Sequence, residues 1–334
     1  MLCDELMDAG PMGYHSQLMA ATIDQVRLAQ KFVLDPPFAA AADALSADYG
    51  TLVKAFPFCR LPFAHTWIEV AQGDRPQFMA AGVHAPIFQS RPRRVGFLCT
   101  ATRSDLSAWK SELFWVMPDK GCNAAAIAMN FDMTQGSGIV YDSAYKPYRI
   151  GQEHQEFFPE SKMKSHPGWD EATPVVRQAL LEHTGTTLPD YGTPMFPEDI
   201  TQIPRPKLDK ILSMIYDLAR SDWAGEVSFL LAVIGLLNAR NVVERERVDV
   251  SRKSHARIKR GRPAFFEHHL LKIQRRQITR AARAPGTDQQ HGKIRRHVCA
   301  GHWKVRKTGI FFWHPFWRGD PARGTVTKDY EVVR

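Results

Sequence analysis

Thr66-Trp67-Ile68-Glu69-Val70 is a short run of β-branched and aromatic residues with one charge inside it, the composition of a pleated strand packed on at least one side. The same character returns at Val95 to Thr100, Leu113 to Met117, Ala125 to Asn130 and Ile139 to Tyr141, with Gly, Pro and charged residues between the runs. Short runs separated by turn chemistry predict a meandering antiparallel sheet. Ahead of them, Leu18, Met19, Ile23, Val26 and Phe32 recur at helical spacing. They predict one helix over residues 14–33, stopped by Pro36-Pro37, and then an alanine-rich helix from Phe38 to Leu45. Helices followed by strands make the class α+β, with a body over residues 1–141.

Residues 142–206 hold nine prolines and little periodicity beyond a short helical pattern at Pro174 to His183. A connection of that length reads as a domain junction. Residues 207–280 read as a helical region. Leu208, Ile211, Leu212, Ile215 and Leu218 form one apolar stripe, and Glu226 to Ala239 is apolar all round, as a core helix is. The basic stretch follows, with Arg252, Lys253, Arg257, Lys259, Arg260 and Arg262. Pro263 suits the first position of another helix, with Phe266, Leu270 and Ile273 inward and Lys272, Arg275, Arg276 and Arg280 outward. After a linker at 281–292, residues 293–334 read as a small basic β-type unit. Its strands are expected at Ile294 to Val305, Ile310 to His314 and Thr325 to Val332.

The charge is unevenly spread. Residues 1–200 hold 16 Lys and Arg against 23 Asp and Glu, a net of −7, whereas residues 201–334 hold 28 against 12, a net of +16. All of that excess lies beyond Val250, where the counts are 21 and 5. A basic module joined to a mildly acidic body points to a polyanionic partner. The five cysteines are odd in number and scattered, which predicts no disulfide framework and a reducing cytoplasm. Asp4, Glu5 and Asp8 do not make the cationic start of a secretion signal, and the apolar run Val227 to Leu237 falls short of the ~20 residues of a membrane span. The expected setting has no membrane.

The tail carries the clearest chemistry. Arg295, Arg296, Lys304, Arg306 and Lys307 share a short segment with Trp303, Trp313 and Trp317. Cations meet phosphates and exposed rings stack on unpaired bases, so these residues, with the basic stretch and Lys272, Arg275 and Arg276, are the candidate nucleic-acid contacts. The competing reading is a β-unit whose tryptophans form its own core, which a small sheet needs for at least one of the three. His297-x-Cys299-x-x-His302 invites a zinc reading. However, a structural site needs four ligands, and a continuous strand puts His297 and His302 on opposite faces, so neither metal nor cofactor is expected. His297 and His302 remain candidates for general acid–base cleavage of RNA, since imidazole both takes and gives a proton near neutrality. Neither a phosphate-binding glycine loop nor a Gly-x-Ser-x-Gly elbow nor a His-Glu-x-x-His helix occurs.

His297-x-x-x-Gly301-His302-Trp303, preceded by Arg295-Arg296 and followed by a glycine turn and Trp313-x-Pro315, resembles the C-terminus of a type V-A anti-CRISPR family. That family lowers biosynthesis of the type V effector nuclease rather than blocking its activity. The likeness extends upstream through the apolar helix at Phe229 to Leu237, a variable basic stretch and Pro263-Ala264-Phe265-Phe266. Cys299 departs from it, standing where a cation is expected. The resemblance implies recognition of the nascent N-terminal peptide of a target protein at the ribosome. Destruction of the encoding mRNA follows, by the protein itself or by a host nuclease. Two other readings stay open from the residues: an RNA- or DNA-binding accessory protein of a phage or plasmid, and a histidine-dependent ribonuclease.

Overall fold

A computed structural model describes residues 1–9, 16–76, 93–117, 121–125, 128–135, 139–142, 147–149, 226–239, 242–273, 295–299, 302–313 and 316–325, with isolated positions from 170 to 223. The first part contains helices α1 (Leu2–Ala9) and α2 (Ser16–Leu28), strand β1 (Gln30–Leu34), and helices α3 (Pro36–Ala47) and α4 (Tyr49–Ala55). Then come β2 (His65–Ala71), β3 (Arg94–Ala101), β4 (Ala108–Met117), β5 (Gly121–Ala124), β6 (Met129–Asp132), β7 (Ile139–Asp142) and β8 (Pro147–Arg149). The second part contains α5 (Glu226–Leu237), β9 (Val243–Val248), α6 (Ser251–Ile258) and β10 (His268–Ile273).

These strands form one ten-stranded sheet in the order β8-β7-β6-β4-β3-β2-β1-β10-β9, with β5 paired to β4. From β2 to β8 it is the expected antiparallel meander. The whole sheet is mixed, because β1 runs parallel to both β2 and β10. The β1–β2 connection passes through α3 and α4, the crossover that a parallel pair requires. The fold is α+β, and residues 243–273 complete a sheet begun by residues 30–149.

Both faces of the sheet are covered. Along β2, Ile68 and Val70 enter a large core with Phe38, Leu45, Leu52, Phe97 and Trp109, joined by Phe229, Leu230 and Ile234 of α5. Trp67, on the alternate face, packs with Leu2, Leu6, Val26, Leu98 and Phe114. So α1 and α2 cover one side and α3, α4 and α5 the other. Every residue of α5 is buried, as its all-round apolar sequence predicts.

Several expectations are corrected. The helix expected over residues 14–33 ends at Leu28, and Gln30–Leu34 is a central strand bonded on both sides. Helical spacing there is outweighed by two ladders of backbone pairing. Pro36-Pro37 does not end that helix but opens α3, where the Asp35 side chain caps by accepting from the Phe38 N–H at 2.8 Å. The helix expected from Pro263 is instead an extended segment leading into β10, held between β1 and β9. Phe266, Leu270 and Ile273 have helix-like spacing, but the six residues of β10 also fit a strand, and tertiary pairing decides. Of the strand expected from Ala125 to Asn130, Met129 and Asn130 open β6, which pairs with β4, while Ala125 lies just past the end of β5. The junction expected from residue 142 holds β8, which pairs with β7 at the edge of the sheet. The helices expected at Pro174 to His183 and across most of Lys207 to Arg220, most of the remaining junction, and the linker lie outside the described residues, as does the strand expected beyond Thr325.

Candidate nucleic-acid interface

The C-terminal strands are β11 (Arg295–Cys299), β12 (His302–Arg306), β13 (Gly309–Trp313), β14 (Phe316–Arg318) and β15 (Asp320–Thr325). The single strand expected from Ile294 to Val305 is therefore two. β11 lies between β14 and β15, while β12 pairs with β13 as a separate hairpin. His297 and His302 thus stand on different ladders, not on opposite faces of one strand. His297 Nδ1 lies 3.0 Å from the Arg295 carbonyl. Among the described residues no group of three or more His, Cys, Asp or Glu side chains is placed to hold a metal.

The β12–β13 hairpin is anchored to the body. Ile310, opposite Val305, is fully buried. A methyl built on Gly235 of α5 would lie 3.2 Å from Ile310 Cδ1 and 3.5 Å from Cys59 Sγ, so glycine is what lets hairpin and helix approach. Trp303 is half-buried, packs against the main core and meets the Phe312 ring at 4.7 Å. Its indole packs on the core of the body as well as on its hairpin partner, rather than forming a core of the β-unit's own. Gly309 takes φ 141°, a backbone state that side-chain-bearing residues avoid, directly after the Lys307-Thr308 turn.

Docking the hairpin creates an open groove of about 710 Å³ lined by Lys54, Pro57, Phe58, Lys304, Val305, Arg306 and Lys307. Lys54 comes from α4, Pro57 and Phe58 from the 3₁₀ turn that follows it, and the rest from β12 and its turn. Every charged residue among these is a cation. Lys54, Arg306 and Lys307 are exposed, and Phe58 is half-buried. Lys304, Arg306 and Lys307 were legible in the sequence, whereas Lys54, Pro57 and Phe58 were not. Nothing local marks those three; only the packing of α4 against β12 joins them to the tail.

The basic stretch forms α6 and the turn beyond it. Arg252, Lys253, Lys259, Arg260 and Arg262 are exposed, so five of the six cations face outward. Arg257 differs. Its guanidinium pairs with Asp8, donates from Nε to the Pro263 carbonyl at 2.8 Å and lies 4.4 Å from the Phe265 ring centre. It fastens α6 to α1. Lys272 pairs with Glu246 across β10 and β9. Arg295 is exposed on β11. Arg275 and Arg276, and the side chains of Arg296, His302, Trp313 and Trp317, lie outside the described residues.

Two buried charge clusters hold the scaffold behind these surfaces. Arg75, 0% exposed, donates to both oxygens of Glu226 at 2.8 and 2.7 Å, lies 3.9 Å from Asp43 and stacks 3.8 Å from the Phe229 ring centre. Burial pushes the Glu226 carboxyl above the usual carboxylate range, against the opposing pull of Arg75. On the other face, the Glu69 carboxylate accepts from the Leu2 N–H at 2.8 Å, the Trp67 indole at 3.2 Å and the Arg94 guanidinium. A buried charge is tolerated when its lone pairs are satisfied in this way. The buried Cys59 and Cys99 thiols are pushed up to about 12, too high to act as nucleophiles near neutrality.

Fold and surfaces together define an α+β body carrying a docked basic hairpin. The chain matches no protein-family model, no curated protein and no solved structure. Among the described residues, no helix is long and apolar enough to cross a membrane.

Proposed function

We propose that this chain is an anti-CRISPR-like repressor. It recognises the nascent N-terminal peptide of a target protein, a type V CRISPR effector or another, and promotes degradation of that protein's mRNA. In this reading the cationic C-terminal residues contact ribosome-associated mRNA, and cleavage is carried out by a host nuclease or by the protein itself. The observation that supports RNA contact is the cationic groove at the hairpin, backed by the outward cations of α6. The support for peptide recognition is the resemblance in the tail, at His297, Gly301, His302, Trp303, Trp313 and Pro315.

The test is a bacterial reporter in which the leading codons of candidate targets precede a fluorescent protein, with mRNA quantified beside fluorescence. The proposal expects mRNA to fall for the native peptide, to fall equally for synonymous recoding, and to be spared by a frameshift that changes the peptide. Loss of mRNA regardless of the encoded peptide would instead support a general nucleic-acid-binding protein.

A further inference from the structure

We infer that the groove between α4 and β12 binds single-stranded RNA, with Lys54 and Phe58 of the body as contact residues beside Lys304, Arg306 and Lys307. The inference rests on the RNA-contact reading above and specifies the form of nucleic acid and the place it binds.

Four cations and one aromatic ring converge here from parts of the chain far apart in sequence, and no acidic side chain lines the site among the described residues. A solvated cationic face needs neither a concave shape nor a ring. Phe58 stands at the end of the turn Phe56–Phe58, whose Phe56 is buried in the core, so the backbone that carries the Phe58 ring is anchored by packing. A half-buried ring amid cations suits a base that is free to leave its own stack. In a duplex the bases are paired and covered, so the ring would find no free base to stack on. The exposed cations of α6 and of the turn beyond it suit phosphate contact of either form. Three of the four groove cations are lysines, compact point charges that follow a backbone without demanding the bidentate geometry of arginine.

Each phosphate neutralised on a single strand contributes about −0.7 to the log–log salt slope, so removing one contacting cation should flatten it by about 0.7. Losing a base-stacking ring should weaken binding by about tenfold or more.

The experiment is fluorescence anisotropy of the full chain with a labelled 12-nucleotide mixed-sequence RNA, the same RNA as a duplex, and polyglutamate as competitor, across a salt series. The variants are Phe58→Leu, which keeps apolar volume and loses the ring, Lys54→Gln, and Arg252→Gln with Arg260→Gln as a control on α6. Expected are tighter binding to the single strand than to the duplex, a tenfold loss for Phe58→Leu, and a flatter salt slope for Lys54→Gln. Unchanged single-strand affinity in both groove variants, with loss only in the α6 variant, would overturn the groove site while leaving RNA contact intact. Equal affinity for duplex, or displacement by polyglutamate as readily as by RNA, would overturn the assignment to single strands. No RNA binding by the unaltered protein at low salt would remove the RNA-contact reading itself.

Discussion

Glu226 shows what a single residue does for this scaffold. It is buried, and both oxygens of its carboxylate accept from Nη1 of an equally buried Arg75. Glu226→Leu removes one partner and leaves the guanidinium desolvated, which should cost about 3–5 kcal/mol, read as a shift of the urea midpoint. A shift equivalent to less than about 1 kcal/mol would mean that water reaches Arg75. Asp48 acts at the surface. It caps α4, and the hydrogen bonds from Thr51, first its side chain and then its N–H, hold the Asp48 carboxyl below the ordinary carboxylate range. Because the folded value is depressed, its stabilising effect is present above the ordinary carboxylate pKa and is lost as pH falls through the lowered value. Asp48→Ala should cost about 1 kcal/mol or less at neutral pH and nothing in strong acid, compared by denaturant titration at both. The residue scale is also where sequence reading is weakest. Arg257 looks like its cationic neighbours in a row of letters, yet it is spent on Asp8, Pro263 and Phe265. Trp303 looks like a stacking platform and is a packing residue.

At the scale of elements, legibility followed how local the deciding forces are. α5 was readable because it is apolar on every side, and β2 to β4 because β-branched and aromatic residues cluster between turns. β1 and β10 were missed, since each owes its form to pairing with strands distant in sequence. The hairpin's position rests on contacts that no local pattern reports, among them the approach of Ile310 to Gly235 and the packing of Trp303 on the main core. Gly235→Leu should displace β12 and β13 from α5, removing the groove wall. The expected readouts are at least tenfold weaker RNA binding and earlier proteolysis in the tail, with far-UV circular dichroism of the body retained. Native RNA affinity in a folded Gly235→Leu protein would show that the hairpin does not need this seat. Strand β9 carries a different device. Its outer edge has no partner strand among the described residues, and Glu244, Arg245, Glu246 and Arg247 are exposed. Alternation puts both arginines on one face and both glutamates on the other. A two-fold antiparallel pairing of this edge with its own copy preserves faces, so like charges meet. Replacing all four by threonine should therefore promote self-association, visible by light scattering. A quadruple variant that stays monomeric at the same concentration would remove that role for the charges.

For the whole molecule, the charge division read from the sequence survives in a different arrangement. Among the described residues, the basic half has several elements built into the body. Part of it, β9 and β10, completes the sheet of the acidic half, α6 is tied to α1 through Arg257 and Asp8, and the hairpin is seated on α4 and α5. A cation such as Lys54, on the acidic side in sequence, thereby joins the groove. This is why the tail's character was legible and the site was not: composition survives folding, whereas a groove exists only once two distant segments meet. The decisive comparison is mRNA abundance of a responsive leader reporter in cells expressing either the unaltered chain or a Lys54, Lys304, Arg306 and Lys307→Gln variant shown to be folded and equally abundant. If the groove holds mRNA, the unaltered chain lowers the message and the variant leaves it near the level without repressor. An equal fall with both proteins would mean that repression proceeds without the cationic groove.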